Sequence, residues 1–405
     1  MTVRVSKQPV NLREKLSELE KPIGLKGSEL MRAETTQKAR EFVSAGRKNL
    51  IHNGGMAVAQ RGTSFTITSD SPAIFPVDRY RFHLGGLGSS ATVTATRETN
   101  SGVPGFPNSI KISNAGNNTG SSNTDSWIRY VMELADYNFI DWGNTKKSLT
   151  LSFYARTNKP GQRSVSIVSG QFGQNHYIAT FTLDAVDVWE KIEITVPPPP
   201  AFPTSGDYGL RLYWGLSVGS SYSTTTTNQW TSGNPFAATG DQKITGVDGA
   251  TYEMTGVQLE VGKNATDFEH RPYGEELALC QRYYYNPMMD GSVMYPIRYL
   301  ISTGNNGWTN WPVSFPTAMR IIPSLVSDLS DSNNTSGPPT DDQWAFYWQN
   351  QGYVSKTGNS DMSVLNISAS ATQANVGAYY VSPTNTNAAS IKIGANRTFA
   401  FNAEL

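Results

Sequence analysis

The stretch that decides the fold is Met254–Tyr285, with the sequence MTGVQLEVGKNATDFEHRPYGEELALCQRYYY. Its first part, Met254–Val261, alternates apolar residues with small or polar ones, as a half-buried strand does. Gly262 breaks this pattern, and from Gly274 the apolar spacing becomes that of a short helix. The stretch therefore predicts the closing strand of one β domain and a helical elbow, residues 274–285, that leads into a second domain.

Strand-like segments also recur upstream, between Gly-, Asn- and Pro-rich turns, with almost no helical periodicity. We expect strands at Ala91–Arg97, Ile110–Ser113, Trp127–Leu134, Ser148–Ala155, Ser164–Ser169, Tyr177–Leu183, Trp189–Val196 and Leu210–Val218. Many short strands in one block are typical of a sandwich or jelly roll. Residues 49–273 are therefore predicted to form a jelly-roll β-sandwich. This predicted domain resembles the jelly rolls of carbohydrate-binding modules.

The final part of the chain, residues 286–405, predicts a second and distal β-sandwich. Its expected strands are Val293–Ser302, Trp311–Phe315, Trp344–Trp348, Met362–Ser368, Gly377–Val381, Ile391–Ile393 and Arg397–Phe401. Together with the first block, this makes the fold class all-β, preceded by an N-terminal helical segment.

Residues 1–48 differ from the rest because they are rich in charge and follow helical spacing. Apolar side chains recur at helix intervals and form one seam, and a second short helix is expected after Thr35 or Thr36. The residues proposed for anchoring or oligomerisation are Leu12, Leu16, Leu19, Ile23, Leu30, Phe42 and Val43. Such a segment is too short to fold alone and needs a partner. The alternative is a disordered tail with transient helix.

Composition narrows the function classes. Lys and Arg total 33, as do Asp and Glu, so the formal net charge is zero, which disfavours a nucleic-acid partner. The single cysteine, Cys280, excludes an internal disulfide. No apolar run is long enough to cross a bilayer, and Met1–Ser28 lacks the apolar core of a signal peptide.

The strings GVQLEVG and ATDFEHRPYGEELALCQRYY, together with NGGMAVAQRG near residue 53, resemble phage tail-fibre and related virion fibre proteins, notably those of marine cyanophages. The resemblance implies a homotrimer in the virion, assembled in the host cytoplasm. It implies attachment through the N-terminus to a tail adaptor, a nozzle or the capsid, and contact with host polysaccharide through the distal end. The alternative is a capsid-bound head fibre or decoration protein with a structural role.

Glycan binding is expected where aromatic rings stand among amide and hydroxyl groups, because sugars bury their apolar face on a ring. The candidate residues in the last domain are Trp308, Trp311, Asn305, Asn306, Trp344, Tyr347, Trp348 and Tyr353. Two more, Tyr222 and Trp230, lie in the segment Ser220–Gly240, which we call the Thr-rich loop. Trp308, in GNNGWTNW, is expected in an exposed turn. Trp344 and Trp348 alternate like one strand face, so they are equally open to a core interpretation.

Enzyme signatures are weak, and no cofactor is expected. The four histidines are scattered through the chain without metal spacing, and nucleophile-elbow and phosphate-loop patterns are missing. A structural Ca²⁺ is doubtful, because Thr255 stands where related jelly rolls carry an acidic ligand. A polysaccharide-cleaving enzyme is therefore the least favoured class.

Overall fold

The computed structural model describes residues 48–68, 74–86, 92–117, 120–140, 147–170, 173–287, 293–296, 299–303, 306–327, 344–348, 352–354, 363–381, 388–393 and 399–404. By its contacts the chain divides into two compact units, residues 1–50 and 51–405. The predicted N-terminal helical segment, including all seven proposed anchoring residues, lies outside the described residues except for Lys48. The division at the elbow into two domains stays a prediction.

Two antiparallel sheets form a jelly-roll sandwich, which confirms the predicted fold class. The first sheet contains, in spatial order, β1 (Ser64–Ile67), β4 (Thr92–Val103), β5 (Phe106–Ala115), β15 (Thr251–Val261), β7 (Leu149–Thr157) and β10 (Glu190–Val196). The second contains β13 (Trp230–Gly233), β9 (Gly173–Leu183), β8 (Gly161–Ser169), β11 (Tyr208–Val218), β6 (Asp125–Glu133), β3 (Tyr80–His83) and β2 (Ile74–Val77). All nine strands expected between residues 91 and 261 are present.

The core lies between these sheets and is built around Trp214. Its ring centroid is 5.9 Å from that of Phe153 on the first sheet and 6.4 Å from that of Tyr80 on β3. Because side chains alternate along a strand, Tyr213 and Arg211 on β11 project to the opposite, outer face of the second sheet. By the same rule Ser152 and Tyr154, which flank Phe153, project to the outer face of the first sheet.

The Thr-rich loop carries the short strands β12 (Ser223–Thr224) and β14 (Ala237–Ala238), which pair in parallel. Phe236 packs on the outer face of the second sheet, with ring centroids 6.1 Å from Trp127 and 5.1 Å from Tyr213. Ser166 on β8 donates a hydrogen bond to the carbonyl of Pro235, at 3.0 Å. The loop therefore covers part of this outer face.

Two α-helices lie in the described part of the chain. The first, α1 (Leu134–Phe139), follows β6 directly, so the strand predicted over Trp127–Leu134 ends one residue earlier than expected. The second, α2 (Tyr273–Gln281), is the predicted helical turn. Cys280 on α2 is buried and free.

The strands after α2 form three further antiparallel sheets. One contains β16 (Tyr284–Tyr285), β26 (Phe399–Asn402) and β20 (Ser324–Ser327). A second contains β17 (Val293–Pro296), β25 (Ala388–Ile393), β21 (Trp344–Trp348) and β22 (Gly352–Val354). A third contains β18 (Tyr299–Thr303), β19 (Asn306–Ser314), β24 (Gln373–Val381) and β23 (Ser363–Ala369). The single strand predicted over Val293–Ser302 is two strands in different sheets, and β20 and β22 are additional to those expected.

The last strand, β26, returns to the beginning of this region, because it pairs with β16 directly after α2. Beside it, Glu404 forms ion pairs with Arg79, and with Arg61 at 3.4 Å. Gln60 donates a hydrogen bond to the carbonyl of Tyr284. The end of the chain thus contacts residues near the start of the jelly-roll sandwich, namely Arg61 before β1 and Arg79 between β2 and β3.

Candidate functional site

A cleft of about 230 Å³ lies between the outer face of the first sheet and the loop that follows β15. Its residues come from β5, β7, β10, β15 and that loop. They are Phe106, Ser152, Phe153, Tyr154, Lys191, Gly256, Thr266, Asp267, Phe268 and His270. We call this the aromatic cleft.

Phe106 is the centre of the aromatic cleft and is almost fully buried. Its ring centroid lies 5.6 Å from Tyr154, 4.8 Å from Phe268 and 5.4 Å from His270. Tyr154 and Phe268 are half-buried, and His270 is exposed. The cluster therefore presents ring surface to solvent instead of closing into a sealed core.

Gly256 makes room for these rings. The pairing of β15 with β7 shifts register between Thr255 and Gln258, and within this bulge Gly256 has a φ of +64°. A Cβ at this position would lie 2.9 Å from Cζ of Phe106 and 3.1 Å from Cδ2 of Tyr154. Only glycine allows both this backbone conformation and the close approach of the two rings.

Two polar side chains of β15 hold the loop that forms the other wall. The Glu260 carboxylate accepts hydrogen bonds from the backbone N–H and the hydroxyl of Thr266, both at 2.7 Å. The Gln258 amide donates to the carbonyls of Thr266 and Asp267, each at 3.3 Å, and accepts from the Glu269 N–H at 2.9 Å. Because Gln258 and Glu260 are buried, their polar atoms need these partners.

The rim of the aromatic cleft is polar. Lys191 Nζ lies 2.7 Å from Glu193 Oε1, and this hydrogen bond is the main reason that the pKa of Lys191 is raised above its ordinary value. The Asp267 carboxylate contributes in the same direction. The rim thus holds the charged Lys191 near the carboxylates of Glu193 and Asp267. Thr266 also lines the cleft and precedes Asp267 in the chain.

An apolar floor of rings with a few polar groups at the edge suits a small ligand that has one flat apolar face and several hydroxyls. The volume is below the roughly 300–1,000 Å³ of sites for drug-sized ligands, so a single sugar ring matches it better than a large cofactor. The ring would stack on Tyr154 and Phe268, while its hydroxyls would meet Lys191 and Asp267.

The aromatic candidates of the Thr-rich loop are packed against their own sandwich. Tyr222 lies with its ring 5.5 Å from Phe236. Trp230 stacks obliquely on Tyr177 at 5.4 Å, and its indole N–H donates to the carbonyl of Pro197 at 2.9 Å. Both side chains are half-buried, so only part of each is accessible to a ligand.

The distal candidates fall in two different sheets. Trp308 is wrongly expected in a turn, because residue 308 lies inside β19, paired with Ile301 and Tyr379. Asn306 begins β19 and Trp311 lies further along it, whereas Asn305 lies outside the described residues. The others lie in the β21–β22 hairpin, which contains Trp344, Tyr347, Trp348 and Tyr353. Their role in glycan binding, and the core alternative for Trp344 and Trp348, stay predictions.

The described residues contain no group of three or more His, Cys, Asp or Glu side chains arranged to hold a metal ion. At the position considered for calcium, the Thr255 hydroxyl donates to the carbonyl of Asn108 at 2.7 Å. Among the described residues, the helices are all too short or too polar to cross a membrane.

His270 lies on the loop between β15 and α2, and its ring centroid is 5.4 Å from that of Phe106 and 4.9 Å from that of Phe268. The sequence patterns do not single out Phe106, Tyr154 or Phe268, since these residues are far apart in the chain. The one available signal is the pair Gln258 and Glu260, two polar residues inside an otherwise buried strand.

No protein-family model matches the chain, and no curated protein matches it in sequence. Solved structures with partial similarity include the family 11 carbohydrate-binding module of Clostridium thermocellum in complex with a mixed-linked tetrasaccharide, with 15% identity and a TM-score of 0.25, covering 51% of this chain and 98% of the other. The second xylan-binding CBM22 domain of Paenibacillus barcinonensis Xyn10C has 16% identity and a TM-score of 0.26, covering 49% and 98%. The enzymatically active domain of tailspike protein 4 of bacteriophage CBA120 has 9% identity and a TM-score of 0.22, covering 53% and 21%. At these identities and TM-scores, none of these similarities transfers a ligand or an activity to this chain.

Proposed function

We propose that the protein is a non-enzymatic, glycan-binding structural protein of a phage virion fibre. The aromatic cleft carries the glycan-binding part of this proposal, because it combines half-buried rings with a charged and hydroxyl-bearing rim. The fibre part is supported by the resemblance of residues 254–285 to virion fibre proteins. The alternative is a capsid-bound head fibre or decoration protein with a structural role.

In a fibre, residues 1–48 anchor the chain to another virion protein and three identical chains assemble together. Three copies of a weak sugar site raise the overall affinity through effective concentration, so no single cleft needs to bind tightly. Adhesion of this kind requires no bond cleavage.

Glycan binding is tested on the full-length protein with an array of oligosaccharides, followed by calorimetric titration of the best ligand. We expect Tyr154→Ala to weaken binding about tenfold or more, because a stacked ring contributes on the order of 1–3 kcal/mol. The matched control is Tyr273→Ala, which removes an equally large ring that is 51% exposed on α2 and outside the cleft.

Equal binding by the Tyr154 and Tyr273 variants, or no binding by the wild type, would refute the sugar site. Release of new reducing ends from the bound polysaccharide would refute the non-enzymatic assignment.

The fibre role is tested by deleting residues 1–48 and measuring incorporation into phage particles, with light scattering to count the chains in the assembly. We expect the deletion to remove the protein from particles while the β-sandwich stays folded. Labelling of whole particles in micrographs separates a tail position from a head position. If the protein is a monomer and no phage particle carries it, both the fibre role and the head-fibre alternative are refuted.

A further inference from the structure

Three arginines occupy adjacent strands on the outer face of the second sheet. Arg81 on β3 stands directly opposite Arg129 on β6. Arg211 on β11 is paired with Val131, two residues along β6 from Arg129, so it shares the same face. We call these three side chains the arginine row. It lies beside the part of the face that the Thr-rich loop covers, and on the opposite sheet from the aromatic cleft.

This arrangement is unfavourable for the protein by itself. Like charges directly opposite each other on neighbouring strands destabilise a sheet. Burial lowers the pKa of Arg81 below its ordinary value, and the nearby Arg129 lowers it further. Arginine nevertheless stays charged in proteins. Arg81 and Arg129 therefore place two like charges directly opposite each other, whereas Arg211 is buried and donates a hydrogen bond to the carbonyl of Gly170 at 2.7 Å.

The ring of Trp127 contacts two members of the row, Arg81 and Arg129. The guanidinium carbons of Arg81 and Arg129 lie 5.5 Å and 5.7 Å from the centre of its ring system. His83 stacks on the same ring at 4.7 Å, and its Nε2 lies 3.3 Å from Oδ2 of Asp125. The neighbouring carboxylate is thus engaged by a histidine rather than by the row.

Arg81 itself has no ion pair among the residues that the structure describes, and its buried Nε has no hydrogen-bond acceptor there. Its side chain is only half-buried, so solvent reaches it. A guanidinium that lies over an indole ring and whose Nε lacks an acceptor can bind a two-oxygen anion with its planar fork of N–H groups.

We propose that the arginine row is a binding site for the anionic group, a carboxylate or a phosphate, of an acidic saccharide, with Arg81 as the group that contacts it. The anion follows from the row alone, whereas the saccharide that carries it rests on the proposed function. A nucleic acid fits less well, because the chain has equal numbers of acidic and basic residues and the row spans only three strands.

The test uses the full-length protein and three probes: trigalacturonic acid, inorganic phosphate, and the neutral maltotriose as control. We expect the two anions to raise the Tm and to bind less tightly as salt increases. Binding of maltotriose, which carries no charge, should depend neither on salt nor on Arg81. Arg81→Gln should weaken anion binding about tenfold or more. Lys111→Gln makes the same charge change on β5 of the first sheet and should leave it unchanged.

The ligand-free Arg81→Gln variant should be as stable as the wild type or more so, because it loses a repulsion. Loss of stability with unchanged anion binding would make Arg81 a structural cation and overturn the proposal. Tighter binding of an oligothymidylate than of trigalacturonic acid, sensitive to Arg81→Gln, would replace the saccharide with a nucleic acid.

The Tyr154→Ala variant separates the two sites. If it retains anion binding while neutral sugars fail to bind the wild type, the proposed sugar site of the cleft fails and the anion site stands.

Discussion

At the scale of single residues, one glycine determines whether the aromatic cleft exists. Gly256→Ala should cost about 2–4 kcal/mol, because alanine at a left-handed position costs about 1–2 kcal/mol and displacing Phe106 and Tyr154 adds the cost of overpacking. The matched control is Gly249→Ala, where φ is +65° but no atom lies within 4 Å of the added Cβ. Urea unfolding measures both. Equal losses in the two variants would mean that the rings do not need the space at residue 256.

A second residue-scale property is the response of stability to pH. Burial is the main cause that lowers the pKa of His176 to about 4, and Arg211 contributes to it. In the unfolded chain His176 therefore binds a proton near pH 6.5, whereas in the folded protein it stays neutral until about pH 4. The free energy of unfolding thus falls as the pH drops from about 6.5 to 4. A shift of this size corresponds to on the order of 3 kcal/mol.

His176→Gln should flatten this part of the stability curve, measured as the free energy of unfolding in urea at a series of pH values. An unchanged slope in the His176 variant would show that another group titrates.

At the scale of elements, one ion pair fixes the end of α2 to the sandwich. Arg282, next to the end of α2, donates to both carboxylate oxygens of Glu133, at 2.9 Å and 3.0 Å. Burial alone would raise the pKa of Glu133, but the hydrogen bonds from Arg282 and Tyr283, together with the charges of Arg282 and Arg79, outweigh burial, so the pKa is lowered. The stabilisation is thus present at neutral pH and is lost as the pH falls through the lowered pKa of Glu133.

Glu133→Gln should reduce stability at neutral pH by about 1–2 kcal/mol, since two charge-assisted hydrogen bonds are lost at a site where Glu133 is 8% exposed. The deficit should shrink in acid. The control is Glu193→Gln, because Glu193 is 49% exposed and such surface pairs contribute about 0–1 kcal/mol. Thermal melts of both variants at a series of pH values measure this loss of stability. A loss that stays the same in acid would argue against the ion pair.

At the scale of the whole molecule, the end of the chain contacts the jelly-roll sandwich. Arg79 is 1% exposed, donates to the carbonyl of Val131 and stacks over the ring of Tyr283, with Glu404 as its ion partner. A buried cation without its partner is expensive to keep folded. The far end of the sequence therefore contributes to the stability of strands near its beginning.

Glu404→Gln should lower the free energy of unfolding by roughly 3–5 kcal/mol, as breaking one side of a buried ion pair does. The fall should appear in a single calorimetric transition that includes the jelly-roll sandwich. Glu98→Gln, which removes a charge hydrogen-bonded to Thr96 at 2.8 Å on the first sheet, is the control with little expected effect. A jelly-roll transition that keeps its midpoint in the Glu404 variant would show that the two parts unfold independently.

Local patterns in the sequence were sufficient for nine strands of the jelly roll between residues 91 and 261 and for α2, because alternation and helical spacing are properties of neighbouring residues. They did not predict β1 or β13. They failed at Glu133, where β6 ends and α1 begins. They also failed at Trp308, where Asn and Gly suggested a turn but strand pairing with residues 301 and 379 prevailed.

The two surfaces proposed to bind ligands were decided only by tertiary structure. Phe106, Tyr154 and Phe268 come from separate strands and a loop, and they meet because a bulge at Gly256 leaves space for their rings. Arg81 and Arg211 are brought to one face by the pairing of β3 and β11 with β6, on strands distant in the chain. Strand periodicity tells which residues share a face within one strand, but the order of strands in a jelly roll depends on long-range pairing and on burial of the common core.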